Sequence, residues 1–251
     1  MKQQGHRSAV LVVFAVVALL LGGCATSGQQ ADPTDPLEGL NRGLYGFNSG
    51  LDRALIGPIA SAYVAVTPEP VRIGVTNFFQ NVAYPGVVLN DLLQGKFEQA
   101  VEDTGHFLIN STLGIFGLID LATPLGMDRH KEDFGQTLGV WGAGEGAYLV
   151  LPALGPNSMR DAPGVVVGAL TNVLWWVADS SLLWPLAGLR AVDTRARLDA
   201  AIKLRERSAI DPYVFTREAY RQHRTHLIYD GNPPLEDFDE LEEQSAKLGK
   251  L

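Results

Sequence analysis

The residue with the clearest chemistry is Cys24, the only cysteine in the 251-residue chain. The tripeptide Leu-Gly-Gly precedes it, and small residues before a cysteine match the bacterial lipobox, in which the thiol is acylated and becomes the new N-terminus after cleavage. Upstream, Lys2 and Arg7 give a basic start, and residues 9–21 form an apolar run typical of a signal peptide. The sequence therefore predicts a signal peptide over residues 1–23 and lipidation of Cys24, which has no second cysteine to pair with.

Other residue types could support hydrolysis or metal binding, but none of them forms a convincing site. The chain has no GxSxG nucleophile motif, and Ser111 is expected to cap a helix or to hydrogen bond between helices. His223 and His226 are three residues apart, but their basic neighbours favour a solvated helix face over a metal. We expect His106 to be a hydrogen-bonded core residue and His130 to lie in an exposed loop. The sequence predicts no enzyme, no metal and no cofactor.

Three carboxylates in apolar surroundings, Asp120, Glu145 and Asp179, are candidates for perturbed ionisation. No partner for them is evident from the sequence. We interpret them as helix-capping or channel-lining groups.

The charge balance excludes one large class of partners. Removal of residues 1–23 takes away two of the 20 basic residues and none of the 28 acidic ones, which leaves a net charge of −10. An acidic chain argues against nucleic-acid binding. Residues 24–34 are predicted to be a polar tether, residues 35–230 one domain, and residues 231–251 an acidic, disordered tail. Ala25, where an aspartate would favour the inner membrane, indicates sorting to the outer membrane.

The longest apolar stretch of the mature chain, residues 162–189, contains three of the four tryptophans and a single charge, Asp179. A bilayer core requires about 20 consecutive apolar residues in helical form. Asp179 interrupts this stretch, and Pro185 is expected to end a helix there. Two interpretations remain open: a buried core helix, or a helix within one leaflet with its indole rings at the headgroup level.

The remaining chain predicts an all-α protein of short amphipathic helices. Apolar residues at three- and four-residue spacing from Leu37 to Leu55 predict a first helix, with Asp35 as N-cap and a break at Gly57-Pro58. Strand signals are scarce. Glycines between residues 134 and 155 suggest tight turns, close packing or a flexible gate. The candidate gate glycines are Gly139, Gly142, Gly144 and Gly146.

Several short motifs together resemble one family of lipoproteins. They are DPLEGLNR at 35–42, NFF at 77–79, LQGK at 93–96, FLINSTLG at 107–114, DFGQTLGVW at 133–141, LP at 151–152, RD at 160–161 and TRA at 194–196. This combination resembles the MlaA, or VacJ, family of outer-membrane phospholipid-transport lipoproteins. The similarity runs from about Asp35 to Asp230 and leaves out the acidic tail.

The resemblance implies a fold, a function and partners. The expected fold is an all-helical disc in the periplasmic leaflet, arranged around a central amphipathic channel. The expected function is the passive removal of misplaced phospholipid from the outer leaflet. The implied partners are phospholipid, a trimeric outer-membrane porin and a soluble periplasmic lipid carrier.

Polar residues on apolar helices are the candidates for lining such a channel. Their alternative role is helix capping or hydrogen bonding between helices. A second function also stays open, that of a lipoprotein that tethers or scaffolds a porin complex without moving lipid. The channel candidates are Asn41, Asn48, Asn110, Thr171, Asn172 and Asp179.

Overall fold

The computed structural model describes residues 35–234. The predicted signal peptide, Cys24, the tether and residues 235–251 of the tail lie outside the described residues.

The first helical segment is longer than the sequence predicts. Helix α1 (Glu38–Leu51) continues through a π-helical turn (Asp52–Ile56) into α2 (Gly57–Val66). The predicted break at Gly57-Pro58 is wrong, because Pro58 falls in the first turn of α2, where a backbone N–H is not required. The predicted N-cap is also wrong: Leu37 precedes the helix, and the Asp35 side chain bonds elsewhere.

Three helices follow the first segment. They are α3 (Glu69–Asn81), α4 (Tyr84–Gln94) and α5 (Phe97–Thr112). Gly95 ends α4 with a φ of 78°, a left-handed conformation that glycine adopts without steric cost. A turn-rich apolar segment and a 3₁₀ turn (Thr123–Leu125) lead into a charged loop.

The glycine-rich region contains a hairpin that the sequence did not reveal. After α6 (Phe134–Val140), strand β1 (Tyr148–Leu151) pairs antiparallel with β2 (Gly155–Ser158), with Tyr148 opposite Ser158. The four-residue strands are too short for an alternating pattern to be distinctive.

The tryptophan-rich stretch is divided into α7 (Ala162–Thr171), α8 (Val173–Val177) and the first half of α9 (Ser180–Arg197). Pro185 does not end a helix as predicted; it lies inside α9, whose start is capped by Asp179. The charged helices α10 (Asp199–Ser208) and α11 (Pro212–Ile228) follow. The predicted all-α class is confirmed, with one hairpin added.

A small aromatic core joins the hairpin to the first and last helices. Tyr148, Val150 and Tyr213 are buried in it, and Tyr45 and Tyr220 pack around them. Tyr148 and Tyr213 meet edge to face with ring centroids 6.1 Å apart. Within residues 35–234, no helix is long and apolar enough to cross a membrane.

Candidate lipid-contact surface and polar interior

The distribution of polarity is inverted relative to a water-soluble protein. Among the described residues, nine hydrophobic side chains are buried, against sixteen polar or charged ones. Large apolar side chains are instead exposed along nearly every helix, far beyond the isolated apolar residues usual on soluble monomers. Such a surface needs lipid or protein to cover it.

All four tryptophans lie on this surface, with exposed fractions of 56% for Trp141, 53% for Trp175, 73% for Trp176 and 78% for Trp184. The interpretation of residues 162–189 as a buried core helix is therefore wrong. The indole N–H of Trp176 is hydrogen-bonded to the Leu170 carbonyl, so the ring can enter an apolar medium without leaving a donor unpaired.

A strained apolar loop extends the same surface. Ile115 and Phe116 have φ values of 54° and 56°, and a left-handed conformation is unfavourable for bulky residues. Phe116 is 74% exposed. The Asn110 side chain holds the end of this loop by accepting the backbone N–H groups of Leu121 and Ala122 at 2.8 and 3.1 Å. Strain that the surrounding structure enforces in this way is frequent at functional sites.

Two of the channel candidates, Asn41 and Asn48, attach α1 to the hairpin. The Asn41 amide donates to the Tyr148 carbonyl at 2.8 Å and accepts the Val150 N–H at 2.9 Å. Two turns along the helix, Asn48 donates to the Leu151 carbonyl at 2.9 Å. Asn41 is fully buried, so its amide stabilises the junction between α1 and the hairpin.

The chain enters the domain through a buried carboxylate. Asp35 accepts hydrogen bonds from Asn41 at 3.0 Å and from the Tyr213 hydroxyl, and it pairs with Arg217 at 3.2 Å. Burial and this bond to Asp35 raise the pKa of Tyr213 above its usual range, so the phenol remains a donor. Asp35, the first described residue, is thus bound to α1 and α11 together.

A second buried polar group surrounds Asn110. Its amide donates to Asp120 at 3.0 Å and contacts His106, which stacks on Tyr84 with centroids 4.7 Å apart. Burial opposes ionisation of Asp120, but bonds from Thr123 and Asn110 and the nearby Arg129 lower its pKa to about 2. His106 is a hydrogen-bonded core residue, as predicted. Asp120 accepts the Thr123 N–H at 3.2 Å, but Ala122 is the N-cap of the 3₁₀ turn, so the predicted capping role of Asp120 is not confirmed.

A third group joins α6, α7 and α11 through charges. Arg224 contacts Asp133 at 2.6 Å and Asp161 at 2.9 Å. Burial opposes ionisation of Asp133, but the Arg224 guanidinium outweighs it and keeps the pKa of this carboxyl below its usual value. A Cβ at Gly135 would lie 2.4 Å from an Asp161 oxygen, so glycine is required there. Sequence reasoning missed this group because its members are up to 91 residues apart.

A fourth group contains two fully buried carboxylates, Asp91 on α4 and Asp103 on α5. The His130 Nδ1 lies 3.1 Å from Asp103 on α5. His130 belongs to the charged loop, as predicted, but its side chain is only 28% exposed, so the predicted exposure is wrong. Asp103, His106 and Asn110 share one face of α5, and that polar face is the buried one. The sequence shows that these polar residues share one face of the helix, but it does not show that this face is the buried one.

The remaining channel candidates cap or bond locally. Thr171 donates to the Val167 carbonyl at 2.9 Å, and Asn172 caps α8 by accepting the Leu174 N–H at 2.9 Å. Asp179 is exposed and accepts the Ser181 N–H at 2.8 Å, which confirms its capping role. Hydrogen bonds from the Ser181 hydroxyl and from this N–H lower the pKa of Asp179. Lining of a channel by the six candidates stays a prediction.

The four gate glycines have two kinds of environment. A Cβ at Gly139 would lie 2.8 Å from Ile228, and one at Gly146 would lie 3.0 Å from Met159. Gly142 and Gly146 have positive φ values of 88° and 67°, while nothing lies within 4 Å of a Cβ at Gly142 or Gly144. Close packing therefore explains two of the positions, and gating stays a prediction for the set.

The side chains that could support catalysis or metal binding either contact other residues or are exposed on the surface. Ser111 accepts a hydrogen bond from Asn81 at 2.8 Å, and Glu145 lies 3.4 Å from Arg221. His223 and His226 are exposed on α11. Within the described part of the chain, no group of three or more His, Cys, Asp or Glu side chains could hold a metal ion.

An apolar exterior, exposed indoles and a polar interior define a helical protein of the membrane interface. Comparison with known proteins places it more narrowly. The family model described as MlaA lipoprotein matches residues 33–227, nearly the whole described region. The chain therefore belongs to the MlaA lipoprotein family, as the motifs predicted.

Individual relatives agree with this assignment. The intermembrane phospholipid transport system lipoproteins MlaA of Shigella flexneri and of Escherichia coli K12 are each 38% identical over 88% of this chain and 89% of their own length. The corresponding protein of Haemophilus influenzae is 33% identical over 90% of this chain and 92% of its own. A chain of known structure is 33% identical to this one, and it was solved in work on the structural basis for maintenance of bacterial outer membrane lipid asymmetry. The two structures match with a TM-score of 0.69 over 79% of this chain and 99% of that chain.

Proposed function

We propose that this protein is an outer-membrane lipoprotein that removes mislocalised phospholipid from the outer leaflet through an amphipathic channel. It passes the lipid to a periplasmic carrier and thereby maintains lipid asymmetry. The single observation that carries this proposal is the inverted polarity, with exposed apolar helices around buried polar groups. The names of the relatives, which specify phospholipid transport, support it over the porin-scaffold alternative.

Helix length supports an embedded position in one leaflet. The ten residues of α7 span about 15 Å, roughly half of a bilayer core of about 30 Å. The exposed tryptophans would lie near the headgroups, and the acyl chains on Cys24 would hold the protein at the periplasmic leaflet of the outer membrane. A trimeric porin is the proposed neighbour in the membrane.

The physical step is the passage of a headgroup. Moving a charged headgroup through hydrocarbon is opposed by the loss of its hydration. A polar path through a protein with an apolar exterior lowers that barrier without covalent chemistry and without an energy source at this step. We therefore propose passive movement, with the direction set by the carrier that removes the lipid.

The decisive test is a bulky substitution with a matched control. Deletion of the gene should place phospholipid in the outer leaflet, and Asn172→Trp should reproduce that defect by narrowing the path. Because Asn172 caps α8, its loss costs about 1 kcal/mol whatever replaces it, so Asn172→Ala is the control that removes the cap without adding bulk.

Restored asymmetry with Asn172→Ala but not with Asn172→Trp supports transport. Equal defects in both variants would assign Asn172 a structural role alone. Normal lipid distribution after deletion, with loss of porin association, would replace transport with the scaffold.

A further inference from the structure

A cavity of about 420 Å³ lies between α1, the hairpin, α10 and α11. It is separate from the polar groups around Asn110 and Arg224. Its volume is at the lower end of the range for small-molecule sites, large enough for a single acyl chain or a small headgroup but not for a complete two-chain lipid. Its apolar walls come from Tyr45, Val150, Pro156, Ile202 and Pro212.

Two arginines supply the positive charge that a ligand in the cavity can reach. The Arg205 side chain is 21% exposed, and Arg53 is exposed. The Arg205 Nε and the Tyr148 hydroxyl have no hydrogen-bond partner among the described residues, but both atoms are buried and lie beneath the cavity wall.

The charges at the cavity favour an anion. Arg53 and Arg205 both line it, and so do the carboxylates Asp52 and Glu206. Asp52 is neutralised by Arg195 at 2.6 Å, and Glu206 is 57% exposed and 3.9 Å from Arg205. The two guanidinium groups are therefore only partly balanced.

We propose that this cavity, named here the hairpin cavity, holds one acyl chain of a phospholipid with its phosphate at Arg205 and Arg53. The apolar walls suit the chain, and the guanidinium groups of Arg53 and Arg205 suit phosphate oxygens. The hairpin cavity would be a resting site for lipid on its way to the carrier. This inference rests on the proposed function, and it adds a binding site and the residues that select the ligand.

The test is photocapture by the full-length lipidated protein purified in detergent. The probe is phosphatidylethanolamine with a diazirine in one acyl chain, and labelled peptides are mapped by mass spectrometry. We expect labelling of β1 and of α10. Arg205→Gln should weaken capture about tenfold or more, because it removes a charge-assisted hydrogen bond from a partly buried position. Arg207→Gln, on the exposed side of the same helix, should leave capture unchanged.

A second pair of variants tests the space itself. Ile202→Trp fills the cavity and should reduce capture about fivefold or more, whereas Leu204→Trp adds the same bulk at a site that is 58% exposed and outside the cavity. Melting temperatures of all four variants would show that they remain folded. Equal capture by Ile202→Trp and Leu204→Trp would overturn the proposal.

The source of the phosphate is tested by competition. Unlabelled phosphatidylethanolamine should displace the probe, and inorganic phosphate at the same concentration should not. Equal displacement by inorganic phosphate would overturn the lipid assignment and leave a free-phosphate site. Phospholipid captured elsewhere on the protein, with the asymmetry defect of the deletion intact, would refute the hairpin cavity alone. Absence of any capture together with normal asymmetry after deletion would refute the proposed function.

Discussion

Replacement of Asp91 by asparagine should make the protein more stable at alkaline pH, and the structure gives the size of the effect. Asp91 and Asp103 are both fully buried, and Gln99 donates to Asp91 at 2.7 Å. Burial, a hydrogen bond with Asp103 and the negative charge of that neighbour raise the pKa of Asp91 to about 7 from 3.8. The folded protein therefore keeps a proton on Asp91 well above the pH at which an exposed aspartate loses it.

The direction in which stability changes with pH follows from proton linkage. In the unfolded chain Asp91 ionises near pH 3.8, whereas the folded protein keeps the proton up to about pH 7, so wild-type stability falls as pH rises across this window. Between pH 5 and the folded pKa lie about two units, equivalent to about 2 to 3 kcal/mol. Asparagine has the same shape as aspartate and carries no charge to desolvate. The free energy of unfolding of Asp91→Asn, relative to wild type, should therefore rise by this amount between pH 5 and pH 8.

The assay is thermal unfolding in mild detergent, followed by tryptophan fluorescence at pH 5 and pH 8. For a domain of this size, the difference in melting temperature between Asp91→Asn and wild type should increase by about 5 to 10 °C from pH 5 to pH 8. His130, Glu132 and Lys96 surround the pair and are present in both proteins. Glu98→Gln, at an exposed position of α5, should show no such pH dependence. A difference in melting temperature for Asp91→Asn that is equal at both pH values, or larger at pH 5, would refute the retention of a proton on Asp91.

Three further outcomes follow from the contacts. Asn41→Ala should lower the free energy of unfolding by about 3 kcal/mol, because it leaves buried hairpin groups such as the Tyr148 carbonyl unpaired; unchanged denaturant unfolding would contradict this. Gly135→Ala should lower the melting temperature by several degrees, since its Cβ would meet Asp161 at 2.4 Å, while Gly168→Ala, with nothing within 4 Å, should not. Lipids brominated in their acyl chains should quench most of the tryptophan fluorescence, because all four indoles are exposed; quenching by acrylamide only would place them in water.

Much of the helical layout could be predicted from local signals. Gly95 ends α4, Pro70 lies in the first turn of α3, and the charged segment between α5 and α6 is a loop, as the sequence indicates. The failures also had local causes. The sequence predicts helix ends at Pro58 and Pro185, but a π-helical turn precedes Pro58, and Asp179 caps the helix that contains Pro185.

The candidate site was only partly predictable, because polar residues were recognised as important while their contacts were not. Asn41 and Asn110 stand out as amides on apolar helices, and both are buried. Their partners are Tyr148, 107 residues away, and the backbone of a strained loop. Asp91 gave no distinctive signal, since its neighbour Asp103 lies on another helix.

The sequence by itself predicted an export signal with a lipidation cysteine, and it determined the family and the absence of a long uninterrupted apolar helix from the mature chain. It also determined the spacing of apolar and polar stripes, because that spacing follows from the helical repeat of 3.6 residues. The repeat is the same whether the apolar stripe faces protein or lipid. Only tertiary contacts, such as Asp35 with Tyr213 across 178 residues, decided that the polar stripes face inward and the apolar ones outward.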